Sequence, residues 1–284
     1  MFWENIKEAI TSISSNKMRS LLTMLGIIGI SSVIIITTIG GSIQSTLTAT
    51  MNSLGGNMVQ AYVEARYPEN DEDWATWEQP DMTDSDYVTQ DMIDGLIEKY
   101  PDEVTGVAAQ NYLGSGTIKD DADSKNYANV NIDGITPEYL EYMKLEMHAG
   151  RNLTKADNQG KKRVCLIADT MAERYFAGKD PIGETLSVAT SDGGIFDFVV
   201  VGVYVYNQAL FGKVDTSIPE KDRVTELMIP LQTCFKLQGT DRTGYDYFNL
   251  MIDPLADVNQ ATTDVLSYFD EMYANNKNFH VSAY

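Results

Sequence analysis

Two imidazoles, His148 and His280, are all that 284 residues offer for histidine chemistry. His148 stands in Met147-His148-Ala149-Gly150 with no second ligand at a metal-binding interval, so an ordinary histidine is expected there. A Ser-His-Asp triad would have to use one of these two, and no G-x-S-x-G elbow accompanies them. With 41 acids, carboxylate pairs remain open, because glycosidase pairs are defined in space and not by spacing. Asp71-Glu72-Asp73 and Asp120-Asp121-Ala122-Asp123 have oxygens suited to weak Ca²⁺ binding, but solvated loops are the expectation. No G-x-x-x-x-G-K-[ST] occurs, so no loop is present to cradle the phosphates of ATP. Catalytic, cofactor and metal sites are therefore not expected in this chain, nor is enzyme activity. Cys165 and Cys234 make no disulfide framework. Two buried thiols are the simpler reading, with a single bridge left open. Trp74 and Trp77 are the aromatic pair that could mark a binding surface.

With so little local chemistry, the distribution of charge and apolarity carries the functional reading. The net charge is −20. Such a surface repels phosphate backbones and anionic lipid headgroups, which argues against a nucleic-acid partner. The charge is unevenly placed. Lys7, Lys17 and Arg19 outnumber Glu4 and Glu8 in the first twenty residues, residues 21–45 have no charged side chain, and the acids follow. A slightly basic tip, an uncharged stretch and an acidic body is the layout of a membrane-anchored protein.

The stretch Leu21 to Ile43 is dominated by Leu, Ile, Val and Met. As a helix it would be roughly 34 Å long at about 1.5 Å per residue. The hydrocarbon core is about 30 Å thick, so a transmembrane helix over 21–45 is expected. A cleaved signal peptide would have a shorter apolar region and an earlier start. A buried soluble helix this uniformly apolar fits less well. Lys17 and Arg19 precede the span and the next basic residue is Arg66, which places the amino end in the cytoplasm and the bulk outside. Small residues recur along it, among them Gly26, Gly29, Ser32, Gly40 and Gly41, and would let other helices approach closely.

Before the span, Phe2, Trp3, Ile6, Ala9, Ile10 and Ile13 fall on one helical face. Residues 1–20 are expected to form a cytoplasmic amphipathic helix lying on the bilayer, with Trp3 at the interface. Such a helix could be a passive anchor or an elbow that docks on a cytoplasmic partner.

The segment from Asn16-Lys17-Met18-Arg19-Ser20 through Leu25-Gly26-Ile27-Ile28-Gly29 resembles the opening of MacB-type permease subunits of ABC transporters. Further matches follow in the family's order. They are Gly134-Ile135-Thr136-Pro137-Glu138-Tyr139, Gly150-Arg151-Asn152-Leu153-Thr154, Asp180-Pro181-Ile182-Gly183, Val199-Val200-Val201-Gly202-Val203 and Met228-Ile229-Pro230-Leu231. Two isoleucines lie between Gly26 and Gly29 where the family commonly has three, which turns one helix face by about 100°. The resemblance implies an exterior domain over 46–284 in two subdomains, one joining 46–135 with 225–284, the other inserted over 136–224. The family continues into three more membrane helices, so the sequence given is expected to be either a piece of a longer chain or a shortened relative.

Read from its own residues, the exterior part is α+β, because strands and helices mix without strict alternation. Strands are expected over Met58–Tyr67, Val104–Gln110, Asn126–Ile135, Arg163–Ile167, Glu184–Val188, Phe196–Tyr206, Tyr247–Ile252 and Phe279–Val281. Thr89 should cap a helix running to Tyr100, with Pro101 as its stop. Pro137 should begin a short helix, and Asp169 should cap one reaching Phe176. Helices are also expected over Leu231–Leu237 and Val258–Tyr273.

The resemblance implies the permease subunit of an ABC transporter. A partner ATPase would bind ATP and Mg and drive the export of peptides, antibiotics or similar substrates by moving the exterior domain. Trp3, Ile6, Ile10, Asn16, Lys17 and Arg19 would feel the ATPase. A second permease copy would complete a homodimer in the lipid bilayer, and an extracytoplasmic adaptor could join it. The alternative is a single-pass surface binding or signalling protein without transport activity. A membrane-tethered hydrolase is disfavoured by the missing nucleophile motifs.

Overall fold

The computed structural model describes residues 3–4, 31–32, 58–68, 76–120, 125–211, 217–240 and 242–284. The chain divides into two units, Met1–Ser53 and Leu54–Tyr284. In the first unit Trp3–Glu4 and Ser31–Ser32 are helical. The rest of the expected amphipathic and membrane helices lies outside the described residues. Among the described residues, no helix is long and apolar enough to cross a membrane.

The second unit contains two sheets, each with its own core. The first has four antiparallel strands in the order β11-β1-β10-β2: β1 Met58–Ala65, β2 Val104–Ala108, β10 Tyr247–Ile252 and β11 Phe279–Ala283. Val59 and Ala61 point inward with Phe248, Leu250 and Val281, while Gln60 and Tyr62 face out, as a period of two requires. Two helices cover the inner face. In α1, Gln90–Lys99, Thr89 accepts from Met92 N–H, Ile93 and Leu96 are buried, and Tyr100 closes the end before Pro101. In α7, Val258–Met272, Asp257 accepts from the N–H groups of Asn259 and Gln260. Its Ala261, Val265, Tyr268 and Phe269 share one buried stripe at spacings of four, three and one.

The second sheet has seven strands in the order β5-β8-β6-β9-β4-β3-β7. These are β3 Gln110–Lys119, β4 Tyr127–Ile135, β5 Met147–Gly150, β6 Val164–Ala168, β7 Thr185–Thr190, β8 Ile195–Tyr204 and β9 Val224–Pro230. β7 also pairs with β8, which closes the sheet on itself. β4–β9 and β6–β8 are parallel and the other pairs antiparallel. Inside lie Ile118, Val130, Ile132, Val188, Phe198 and Leu227. Short helices connect the strands: α2 Tyr139–Tyr142, α3 Lys155–Gln159, α4 Asp169–Phe176, α5 Gln208–Phe211 and α6 Leu231–Leu237.

The mixed α+β architecture agrees with the sequence reading, and some details differ. Asp169 is not the cap of α4 but its first residue, after Ala168 in an extended conformation. Its Oδ1 accepts from Thr170 N–H at 2.7 Å and from Tyr206 N–H at 2.9 Å, which ties the helix to the end of β8. The helix after Pro137 starts two residues later, at Tyr139. Residues 110–135 and 225–230 pair within the seven-stranded sheet. A seven-residue parallel ladder from Asn129↔Val224 to Ile135↔Pro230 holds them there. The sheets therefore change over at Ala109 and at Leu231.

Both cysteines are buried and free, and burial pushes both thiols up from their ordinary range. Trp77 is half-buried against the four-stranded core, with its ring 5.2 Å from that of Tyr67. Trp74 and the run Asp71-Glu72-Asp73 lie outside the described residues.

Candidate functional site

The two changeover points converge on a buried polar joint. A single residue, Ala109, separates β2 from β3. Thr136, 1% exposed at the end of β4, clasps it: Thr136 N–H donates to Ala109 O at 3.0 Å, and Ala109 N–H donates to Thr136 Oγ1 at 3.0 Å. The same hydroxyl donates to Val107 O of β2 at 3.0 Å. One side chain thus satisfies a buried donor and reaches a carbonyl of the other sheet, where apolar replacement would leave both short of partners.

The second crossing is α6. Leu231 and Phe235 belong to the four-stranded core and Cys234 to the seven-stranded one. The helix packs onto Gly134, where an added Cβ would lie 2.3 Å from Cys234 Cβ, so only glycine fits. Pro230 supplies no side-chain cap. One free N–H of the first turn is satisfied from a distance, Gln232 N–H donating to Asn158 Oδ1 at 2.9 Å, and the Thr233 hydroxyl ties the turn to Lys162 O at 2.8 Å.

Asn158 is itself fixed by an ionic knot. Thr154 and Asp157 form a capping box at the start of α3, with an aspartate in the position usually taken by Glu or Gln. The Asp157 side chain, 1% exposed, accepts from Arg151 Nη1 at 2.7 Å and from Lys162 Nζ at 3.0 Å. Burial pushes its carboxyl up, but hydrogen bonds from Arg151, Thr154 and Lys162 outweigh burial and hold it well below the usual carboxylate range. Asn152 Nδ2 donates to Pro137 O at 2.8 Å, joining this loop to the Thr136 segment. Gly150 turns with φ +73°, and a Cβ there would lie 2.4 Å from Val201 O.

Beside this joint lies a cleft of about 290 Å³, lined among others by Asp94, Glu138, Lys155, Asn158, Gln232 and Tyr245. Lys155 Nζ is 3.8 Å from Glu138 Oε1. Burial raises the Glu138 carboxyl above its ordinary value, and Lys155 opposes that only in part. A second cleft of about 300 Å³, lined by Arg174, Tyr206 and Asp222 among others, lies within the seven-stranded lobe and joins no lobes.

The histidines are far less organised. His148 is exposed on β5. His280 Nε2 is 3.3 Å from Ser282 Oγ, but that hydroxyl donates to Glu64 Oε2 at 2.9 Å, and His280 Nδ1 has no partner. An imidazole without a carboxylate on its second nitrogen lacks the orienting group of a triad. Among the described residues, no group of three or more His, Cys, Asp or Glu side chains is placed to hold a metal ion.

Of the residues singled out for ATPase coupling or helix packing, Trp3 and Ser32 are described. Trp3 is helical and 79% exposed, and Ser32 is helical and exposed. Ile6, Ile10, Asn16, Lys17, Arg19, Gly26, Gly29, Gly40 and Gly41 lie outside the described residues. Sequence reasoning missed Asn158 and Gln232, which meet across 74 positions. It quoted Thr136 and Asn152 within motifs but gave them no role.

Residues 20–268 match the family described as MacB-like periplasmic core domain. The ABC transporter permease YknZ of Bacillus subtilis (strain 168) is 31% identical over 186 residues, covering 64% of this chain and 43% of that protein. The macrolide export ATP-binding/permease protein MacB of Neisseria gonorrhoeae is 24% identical over 221 residues, covering 75% of this chain and 30% of that protein. The chain thus matches less than half the length of either relative. Among solved structures, the periplasmic region of MacB from Actinobacillus actinomycetemcomitans aligns with a TM-score of 0.51 at 16% identity, covering 82% of this chain and 91% of that one. The extracellular domain of the noncanonic ABC-type transporter YknZ from Gram-positive bacteria aligns at 0.50 with 19% identity, covering 80% and 100%. These two likenesses are of fold. With its match running through both sheets of the body and the joint between them, this chain belongs to the MacB-like periplasmic core domain family of ABC transporter permeases.

Proposed function

We propose that this chain is the permease subunit of an ABC exporter and acts by transmitting force. A cytoplasmic ABC ATPase, binding ATP and Mg, closes on the face formed by Trp3, Ile6, Ile10, Asn16, Lys17 and Arg19. The span over 21–45 carries the movement through the lipid bilayer to the exterior body. Gly26, Gly29, Ser32, Gly40 and Gly41 pack that span against neighbouring helices, including those of a second permease copy, and an adaptor outside the membrane completes the path. The cargo is a peptide, an antibiotic or a similar compound. Relatives include a macrolide export protein, MacB, and a syringafactin export protein, SyfD.

The observation that carries this reading is the family match. Residues 20–268 match the MacB-like periplasmic core domain, and Thr136 and the Asn158–Gln232 contact link its two separately cored lobes, so that a movement given to one reaches the other. The test is co-purification of the cognate ATPase with the full chain and with a form lacking residues 2–19. The deletion should reduce the recovered ATPase to background while the chain still reaches the membrane. Recovery at the wild-type level would contradict the coupling assignment.

A further inference from the structure

We propose that Asp133 and Glu226 form a proton-responsive pair in the parallel ladder between β4 and β9, a ladder that stays closed while either carboxyl holds a proton and loosens when both are ionised.

The register brings the two acids together. Asn131 stands opposite Glu226, and Asp133 opposite Met228. Side chains alternate along a strand, so these four share one face of the ladder, and Asp133 and Glu226 are diagonal neighbours on it. Asp133 is 4% exposed. Glu226 is half-buried, and its Oε2 is buried with no hydrogen-bond partner. Asp157 shows what a buried carboxylate of this body has around it when its charge is kept: two cations and the Thr154 hydroxyl. Asp133 and Glu226 have no such cation. The ion pairs among the described residues use Glu138, Asp157, Asp246 and Glu271.

The surroundings are neutral or acidic. Around the pair stand the amides of Gln110 and Asn131, the phenols of Tyr139 on α2 and Tyr204 on β8, and the Cys234 thiol on α6. Burial pushes both phenols and the thiol up, so all three are uncharged at neutral pH. Arg242 acts on Cys234 but is paired with Asp246, and Asp169 acts on Tyr204 and adds negative charge. Burial raises the carboxyls of Asp133 and Glu226 above their ordinary values. The Gln110 amide opposes this at Asp133. At Glu226 its own backbone N–H and Asn131 oppose it, and the Asp133 charge adds to it. A carboxylate buried without a cation sheds its charge by taking a proton.

This ladder runs into both changeovers. Its seven rungs, from Asn129↔Val224 to Ile135↔Pro230, end one residue before Thr136 and one before Leu231. Loosening it therefore acts on both crossings between the lobes. Folded, the pair holds protons to higher pH than unfolded. Its contribution is fully present below the ordinary values of 3.8 and 4.5 and is lost as pH rises through the raised, folded-state values. That sign is opposite to the one at Asp157, whose carboxyl is depressed.

The experiment uses the full chain in lipid nanodiscs, without ATPase or nucleotide, so its outcome is independent of the coupling reading. Amide hydrogen exchange, corrected for the intrinsic effect of pH, is followed by mass spectrometry over residues 129–135 and 224–230 from pH 5 to pH 8. β10, which has no carboxylate, is the internal reference. Ladder protection should fall about tenfold relative to β10 across this range, the factor that one unit in a single carboxyl's pKa supports. Asp133→Asn should lose most of that fall, and Asp133→Asn with Glu226→Gln should lose all of it and be better protected than wild type at pH 8. Wild-type protection that holds steady or rises from pH 5 to pH 8 would overturn the proposal, as would a fall undiminished in Asp133→Asn. A neutral double variant that is less protected than wild type at pH 8, or does not fold, would show that the ladder needs the charges, and would overturn it too.

Discussion

Thr136→Val should destabilise the exterior body by about 3 kcal/mol, because it strands two buried backbone groups at once. The side chain keeps nearly the same shape, so packing is not the cause. What is lost is the acceptor for Ala109 N–H and the donor to Val107 O. Each buried group left unpaired costs about 1–3 kcal/mol. Thr136→Ser retains both bonds and gives up one methyl, for about 1 kcal/mol. Urea unfolding of the full chain, followed by intrinsic fluorescence, measures both. If serine and valine cost the same, methyl packing and not the clasp holds the changeover, and the joint as described is wrong.

Asp157→Asn should cost about 2–3 kcal/mol at neutral pH, with the loss confined to conditions in which the aspartate is ionised. This is less than the about 3–5 kcal/mol of a fully buried ion pair, because Arg151 and Lys162 are about half exposed and can be rehydrated when the carboxylate is gone. The sign of the pH dependence follows from the depressed carboxyl. Unfolded, it titrates near 3.8, and folded it holds its charge to lower pH. Its contribution is therefore fully present above that value and is lost as pH falls through the folded-state range. Unfolding free energies of wild type and Asp157→Asn should differ most above about pH 5 and converge in stronger acid. A constant gap down to pH 3 would mean that shape, not charge, sets the effect.

Several elements were legible because local chemistry and burial agree. α1 has a capping threonine, apolar residues three and four apart and a proline stop. In α7 the stripe Ala261, Val265, Tyr268 and Phe269 reads directly as one face. β10 matches its expected bounds, Tyr247–Ile252. β3 was not legible. Gly114, Gly116 and a run of Ser, Thr and Asn interrupt any apolar alternation, and the strand is held by pairing with β4 on one side and β7 on the other. β5 and α3 have four and five residues, too few to establish a period. Asp169 was misjudged because an aspartate at the first helical position looks like a cap until the backbone before it is known.

The joint was half legible. Thr136, Gly150 and Asn152 fall inside the motifs that marked the family resemblance, and the fold supplies their reasons: a clasp, a left-handed turn and a loop tie. Asp157 and its capping box were readable in principle from Thr154 followed three residues later by an acid. Gln232 and Asn158 were not, since only the packing of α6 on α3 brings them together.

Placement of the acidic body outside the membrane, with the amino end inside, is the claim on which force transmission depends. It is tested most directly by labelling intact cells with a membrane-impermeant maleimide. Cys165 and Cys234 are buried with raised thiols and stay unreactive. Leu255 is 96% exposed, so Leu255→Cys reports on the body, and Lys7→Cys reports on the amino end. Leu255→Cys should be labelled in intact cells and Lys7→Cys only after permeabilisation. Labelling of Leu255→Cys only after permeabilisation would contradict the account.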